Sequence, residues 1–360
     1  EKPEQFREKI LRGSFWNKES KEMKFDAVVG NPPYQEGIEN TSDSPVYHLF
    51  LENAFKISSV VSMITPARFL FNAGKTPKLW NEKVLNDDHF KVVRYSPKST
   101  DFFPNVDIKG GVAITLRDSS QNFGKLGIFL QYQELNTILT KVRTLNECSI
   151  SNQVYSTESY RFSDVLHKEN PDIAERLSKG HLHDITSNIF EKIPEIFSDI
   201  PSNVNNVGLY GRKNNERVVL WTKRQYLEQH DNLDYYKVFI PKSNGTGAIG
   251  EMLSNPIIGE PGIGHTQTFI SIGKLNNIFE AKALLKYIKT KFLRCMLGIL
   301  KVTQHNKKAV WEYVPTQDFT ENSDIDWSKS VAEIDQQLYA KYSLNDEEIS
   351  FIESMIKPME

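Results

Sequence analysis

Apolar positions in the first third of the chain switch repeatedly between a strand period and a helix period. Residues 25–29, apolar and β-branched except for Asp26, predict a buried strand. Gly30 breaks it, and Asn31, Pro32, Pro33 and Tyr34 follow as a stiff loop at the strand's carboxyl end. Pro45 opens a helix in which Val46, Leu49, Phe50, Ala54 and Ile57 share one face. Residues 60–64 predict a second strand, stopped by Thr65 and Pro66, and residues 67–71 and 77–85 two short helices. Residues 90–95 predict a third strand and 111–116 a fourth, with Gly110-Gly111 permitting close backbone approach before it. This order predicts the second half of an α/β sheet with an antiparallel hairpin at its edge. Residues 5–16 predict the end of a helix, 17–24 a polar connector and 36–44 a mobile polar segment.

The pattern then changes. Residues 127–145 predict a helix leading out of the first domain, so the boundary is placed near Leu145, giving 1–145 and 146–360. Residues 171–179 and 182–197 are helix-like, 201–211 with repeated Asn a turn region, and 218–221 and 235–240 strand-like. A single long amphipathic helix is predicted over 280–302, followed by helices over 328–342 and 345–356, the last with Ser343 and Asp346 near its start. The second domain therefore reads as mixed α+β.

Composition narrows the class without naming an activity. The chain has 360 residues, 39% hydrophobic and 25% charged, which is ordinary globular composition with room for more than one domain. A net charge of −2 means that a nucleic-acid partner would be met by a local patch. Two cysteines, Cys148 and Cys295, make no disulfide framework and fit a reducing, cytoplasmic setting. No apolar run reaches membrane-spanning length, and no signal-peptide pattern opens the chain. It begins with Glu1 rather than Met, so a fragment of a longer protein is expected.

The chemistry concentrates in the loop after the first strand. The Asn31 side-chain oxygen and a proline-loop carbonyl are two acceptors on a backbone stiffened by proline. They suit one NH2 group with two hydrogens, and Tyr34 offers a flat face for a planar ring. Accepting both hydrogens draws an amine conjugated into a ring toward a tetrahedral, lone-pair-bearing form, which is stabilisation of the transition state by preorganised dipoles. An ordinary proline turn after a strand is the bland alternative. Phe102 and Phe103, between the last two strands, are either core residues or the far wall of a base pocket opposite Tyr34.

With Phe-Asp-Ala-Val-Val-Gly directly before Asn31-Pro32-Pro33-Tyr34, the chain resembles the amino-methylating, S-adenosylmethionine-dependent methyltransferases. It is most similar to the N6-adenine DNA methyltransferases of combined type II restriction–modification systems, which share the stretch Val106-Asp107-Ile108-Lys109-Gly110-Gly111-Val112. Thr65-Pro66-Ala67-Arg68-Phe69-Leu70 resembles the family's strand-end proline motif. The second domain resembles its target-recognition region at Thr290-Lys-Phe-Leu-Arg294, Ser323-Asp-Ile-Asp-Trp327 and Asp335-Gln-Gln-Leu-Tyr339. The resemblance implies a Rossmann-like methyltransferase sheet, present as its C-terminal half and followed by a DNA target-recognition domain. It implies Asn31, Pro32 and Tyr34 as catalytic residues. Pro33 and Phe103 would contact a flipped adenine, with Phe102 the alternative to Phe103. The cofactor's glycine motif and ribose-binding acid precede the Asn-Pro-Pro-Tyr motif in the family and are missing here. S-adenosylmethionine is therefore expected to bind mostly outside this chain, and the chain to be inactive without the preceding half of the protein. Rival readings are a protein glutamine methyltransferase and a DNA-specificity module with a dead loop.

Residues 282–308 carry Lys282, Lys286, Lys289, Lys291, Arg294, Lys301, Lys307 and Lys308 and no acidic residue. A double-stranded DNA partner needs such local charge, so Lys289, Lys291, Arg294, Lys301 and Lys307 are candidate contacts, with Gln304 and His305 able to read base edges. A solvated helix face is the usual alternative. Gly245-Thr-Gly-Ala-Ile-Gly250 matches the dinucleotide fingerprint but lacks its strand–turn–helix setting, and reads as flexible loop backbone. Histidine spacing supports no metal site.

Overall fold

The computed structural model describes residues 25–36, 44–127, 129–130, 132–202 and 204–359. The segments predicted over 5–24 and most of 36–44 lie outside these residues. The fold is mixed α/β with several sheets, divided into two compact units, 1–129 and 130–360.

The first unit carries β1 (Phe25–Gly30), α1 (Tyr47–Ile57), β2 (Ser58–Pro66), α2 (Lys78–Leu85), β3 (Phe90–Ser96) and β4 (Val112–Asp118). The sheet order is β1-β2-β4-β3: β1 and β2 are parallel, and β4 runs antiparallel between β2 and β3. The predicted antiparallel hairpin, β3 with β4, thus lies at one edge of the sheet, with β3 outermost. The structure corrects the burial of β1. Phe25 is 48% and Val29 80% exposed, because β1 pairs on one side only among the described strands. It also turns α1. Tyr47, His48, Leu51 and Ala54 are buried while Leu49 and Phe50 face outward, since the Tyr47 ring packs on Phe69 and Trp80.

Gly111 shows why the diglycine is there. It has φ +77°, and a β-carbon would lie 2.2 Å from the Ser96 carbonyl oxygen. Gly111→Ala is expected to cost the first unit more than roughly 2 kcal/mol, strain and clash together. Gly124→Ala isolates the strain term, because Gly124 has φ +75° and nothing within 4 Å of its missing β-carbon. Thermal unfolding of the two variants measures the difference; equal losses would refute the close approach.

The second unit begins with α3 (Gln133–Thr144), whose buried Leu135, Ile138, Leu139 and Val142 place it there. The division thus falls before this helix and not near Leu145. Then follow β5 (Val154–Tyr155), β6 (Asn206–Lys213), β7 (Glu216–Lys223), β8 (Tyr236–Pro241), β9 (Ile257–Gly259), β10 (Ile263–His265) and β11 (Phe269–Leu275). One sheet has the order β9-β8-β11-β5 and another β10-β6-β7. The predicted turn region over 201–211 is largely strand β6. Asn214 and Asn215, at φ 51° and 66°, make the left-handed turn into β7 that such hairpins require. The helices predicted over 171–197 shrink to single turns such as Ile173–Arg176 and Ile189–Lys192, interrupted by Gly180 and Pro194. Their apolar residues nonetheless enter the core with Tyr160 and Phe162.

The long helix predicted over 280–302 is two, α4 (Ile278–Lys289) and α5 (Lys291–Gly298). Thr290, extended at φ −60° and ψ 148°, ends one and caps the other by accepting from Leu293 N. Capping boxes start α6 (Val331–Lys341) at Ser330 and Glu333, and α7 (Asp346–Met355) at Asn345 and Glu348. Among the described residues, no helix is long and apolar enough to cross a membrane.

Candidate active site

The Asn-Pro-Pro-Tyr loop leaves β1 at its carboxyl end and is tied at its far side, where the Tyr34 carbonyl accepts from Val46 N at 3.1 Å. Gln35–Glu36 and Ser44–Pro45 then pair as a two-residue antiparallel ladder. The loop forms one side of a cavity of about 880 Å3, with Arg68 and residues 106–109 among its other lining. A single nucleotide fits within such a volume. Asn31 and Pro33 are exposed and Pro32 is buried, so Asn31 stands at the mouth on a rigid base.

Tyr34 and Phe103 face each other across 6.4 Å between ring centroids, at 64°. The two aromatics singled out from sequence thus meet, but edge to face, as adjacent unliganded rings prefer. A parallel sandwich is not preformed, since the two ring planes stand at 64° to each other. Phe102 is engaged elsewhere, its ring 4.9 Å beneath the Arg94 guanidinium carbon. Of the two candidates, Phe103 is the one whose ring meets Tyr34. The Tyr34 hydroxyl is buried without a hydrogen-bond partner. Burial pushes its pKa up to about 12, so it remains a neutral phenol.

Residues 1–103 match the family described as Eco57I restriction-modification methylase. Over those residues, less than a third of the chain, it is similar to that methylase family. An uncharacterized adenine-specific methylase of Mycoplasma pneumoniae is 30% identical over 95 residues, which is 25% of this chain and 22% of that protein. Two solved structures are similar at low identity and low TM-score. The type IIG restriction endonuclease BpuSI has 13% identity and a TM-score of 0.37, over 92% of this chain and 53% of its own. The type IIL restriction-modification enzyme MmeI, in complex with DNA, has 9% identity and a TM-score of 0.42, over 91% and 56%. The chain thus spans about a fifth of the matched curated relative and just over half of each solved structure.

Beyond the methylase match, the basic run of the second unit is not a continuous face. Arg294 is 3% and Lys301 6% exposed, which removes both from the candidate DNA contacts. The cause is the break at Thr290, which turns the Arg294 side of α5 inward, where its Nε donates to the Thr290 carbonyl. Lys291 pairs with the Glu353 carboxylate. Lys286, by donating to the carbonyls of Trp327, Ser328 and Lys329, ties down the turn before α6. Lys289 and Gln304 are half-buried, and His305 and Lys307 are exposed.

The glycine-rich loop is not flexible backbone. Thr246 N and Gly247 N both donate to the Glu251 carboxylate at 2.9 Å, so the chain fills its own anion nest. Residues 243–244 are also joined to 304–305, with Asn244 N donating to the Gln304 carbonyl at 2.8 Å. Sequence spacing could not show that the occupant of this loop lies one residue beyond it.

Proposed function

We propose that the chain carries the adenine-holding side of an N6-adenine DNA methyltransferase from a restriction–modification system. The observation that carries this reading is the rigid Asn31-Pro32-Pro33-Tyr34 loop lining the cavity, with Tyr34 meeting the Phe103 ring edge to face. The substrate is a flipped adenine, since its amine is not reachable inside a duplex stack. The Asn31 Oδ1 atom and the Pro32 carbonyl accept the two amine hydrogens and localise the nitrogen lone pair. Tyr34 stacks on the ring, and Phe103 closes behind it after rotating. Pro33 keeps the loop from yielding as the base presses in.

S-adenosylmethionine, the donor that the family implies, would supply an electrophilic methyl group. Among the described residues, no glycine-rich strand-to-helix turn lines the cavity, and the one matching glycine motif is filled by Glu251. The test is methyl transfer to duplex DNA by the complete protein, with N6-methyladenine as the measured product. A methylated glutamine peptide with unmodified DNA would refute the reading.

The second unit supplies duplex contact through its remaining exposed basic and polar residues. Lys307→Ala is expected to weaken binding evenly across DNA sequences and to lower the salt slope by about one. Arg294→Met is expected to leave that slope unchanged, because the side chain is enclosed. Fluorescence anisotropy over a salt series measures both, and a reduced slope in Arg294→Met would contradict the assignment.

A further inference from the structure

Arg68 does nothing in the amine-holding chemistry, yet three features of the first unit converge on it. It lies in the turn Ala67–Phe71 that follows β2, where Ala67 N donates to the Gly111 carbonyl at 3.0 Å and Ala73 N to the Arg68 carbonyl at 3.0 Å. Its Nε donates to the Lys109 carbonyl. Its aliphatic stem occupies the space beside residue 110: Gly110 has φ +90°, and a β-carbon there would stand 2.6 Å from Arg68 Cγ. The diglycine therefore has two separate explanations. Gly111 yields to the Ser96 backbone, and Gly110 yields to Arg68.

The segment so gripped is the chain between β3 and β4. Its interior anchor is Ser99, 3% exposed, whose hydroxyl donates to the Val106 carbonyl at 2.5 Å and accepts from Ile108 N at 2.9 Å. The same segment carries Phe103, whose N–H donates to the Ser99 carbonyl at 2.8 Å. Residues 106–109 line the cavity together with Arg68 and the Asn-Pro-Pro-Tyr loop. Ser99 holds this wall from inside, and Arg68 is its outer clasp.

We propose that Arg68 is a positioning residue that holds residues 106–109 as the cavity wall facing Asn31-Pro32-Pro33-Tyr34, so that the site has its shape before substrate enters. It acts through Lys109 and Gly110. Its kinetic consequence rests on the methyltransferase reading, whereas the structural one does not.

Trypsin provides the structural readout, since the bond after Lys109 is cleaved only as fast as the wall opens. Arg68→Ala should speed that cleavage about tenfold, the loss of one hydrogen bond. Arg68→Lys should not rescue it, because a lysine has no Nε–H at that depth. Gly110→Ala should open the wall by itself, and its effect should shrink when Arg68 is also Ala, since the 2.6 Å clash is with Arg68. In the complete protein, Arg68→Ala should raise KM for DNA while kcat at saturating DNA stays within a few-fold, the sign of lost preorganisation.

Equal cleavage with and without Arg68, full rescue by Lys, or independent effects of the two substitutions would each overturn the proposal. If Arg68→Ala does not fold, Gly110→Ala alone poses the same question, and unchanged cleavage in it counts against the clasp. Absence of methyl transfer by the unmodified complete protein removes the functional reading but leaves the proteolysis result to stand by itself.

Discussion

Asn31→Ala in the complete protein is expected to lose about 10²–10³ in the methyl-transfer rate, the loss seen when one preorganised polar partner of a transition state is removed. Asn31 sits at the cavity mouth, on a loop whose next two residues are prolines. On the proposed reading, the proline-stiffened backbone presents no replacement acceptor, and the Pro32 carbonyl alone would hold the amine. DNA affinity should change little, because phosphate contacts dominate binding and Asn31 makes none. Single-turnover transfer and equilibrium DNA binding measure the two quantities separately. A rate within tenfold of the parent protein would show that the clamp is not the source of catalysis. An equal loss of binding would point to a structural defect instead. Asn31→Asp keeps an acceptor at the same place but adds charge beside the amine, and should fall between the parent and Ala.

Lys237 is expected to make the second unit more stable as pH rises from 7 to 9. The side chain is fully buried in β8, its Nζ donating to the carbonyls of Leu233 at 2.8 Å and Ile263 at 2.9 Å. Burial pulls its pKa down from 10.5 to about 7, against a small opposing pull from Asp234. The folded value lies below the unfolded one, so between these pH values the unfolded chain binds more protons, and stability grows with pH. The whole shift corresponds to about 5 kcal/mol, of which about 2 kcal/mol falls between pH 7 and 9. The window is best read below pH 9. Above it, buried tyrosines such as Tyr160 and the Cys295 thiol, both held protonated by burial, oppose the rise. Thermal unfolding of Lys237→Met should lose the slope, although two carbonyls then lack their donor. A slope that persists in this variant would assign the effect to other groups.

Two local signals in the first unit translated directly into structure. The Val-Val-Gly-Asn-Pro-Pro-Tyr run became a strand with a rigid loop at its carboxyl end, because β-branched residues and prolines restrict the backbone wherever they stand. The strands over 58–66, 90–96 and 112–118 followed from their apolar periods. What failed did so where a period was shared by two elements or supported by none. The run over 280–302 has continuous amphipathic spacing, yet Thr290 is extended and divides it. Asn206 to Tyr210 reads as polar turn chemistry at its start, but pairing with β7 outweighs that local preference.

The amino-acid sequence by itself determined the stiffness of the Asn31-Pro32-Pro33-Tyr34 loop and the choice of candidate acceptors and aromatics, since these depend on residue type and near neighbours. Only the tertiary structure decided which aromatic meets Tyr34, because Phe102 and Phe103 are adjacent and only packing sends one to Arg94 and the other to Tyr34. It likewise decided that Arg294 and Lys301 are enclosed while Lys307 is not. Charge is a property of the residue, but its access to a partner is set by segments far away in the chain.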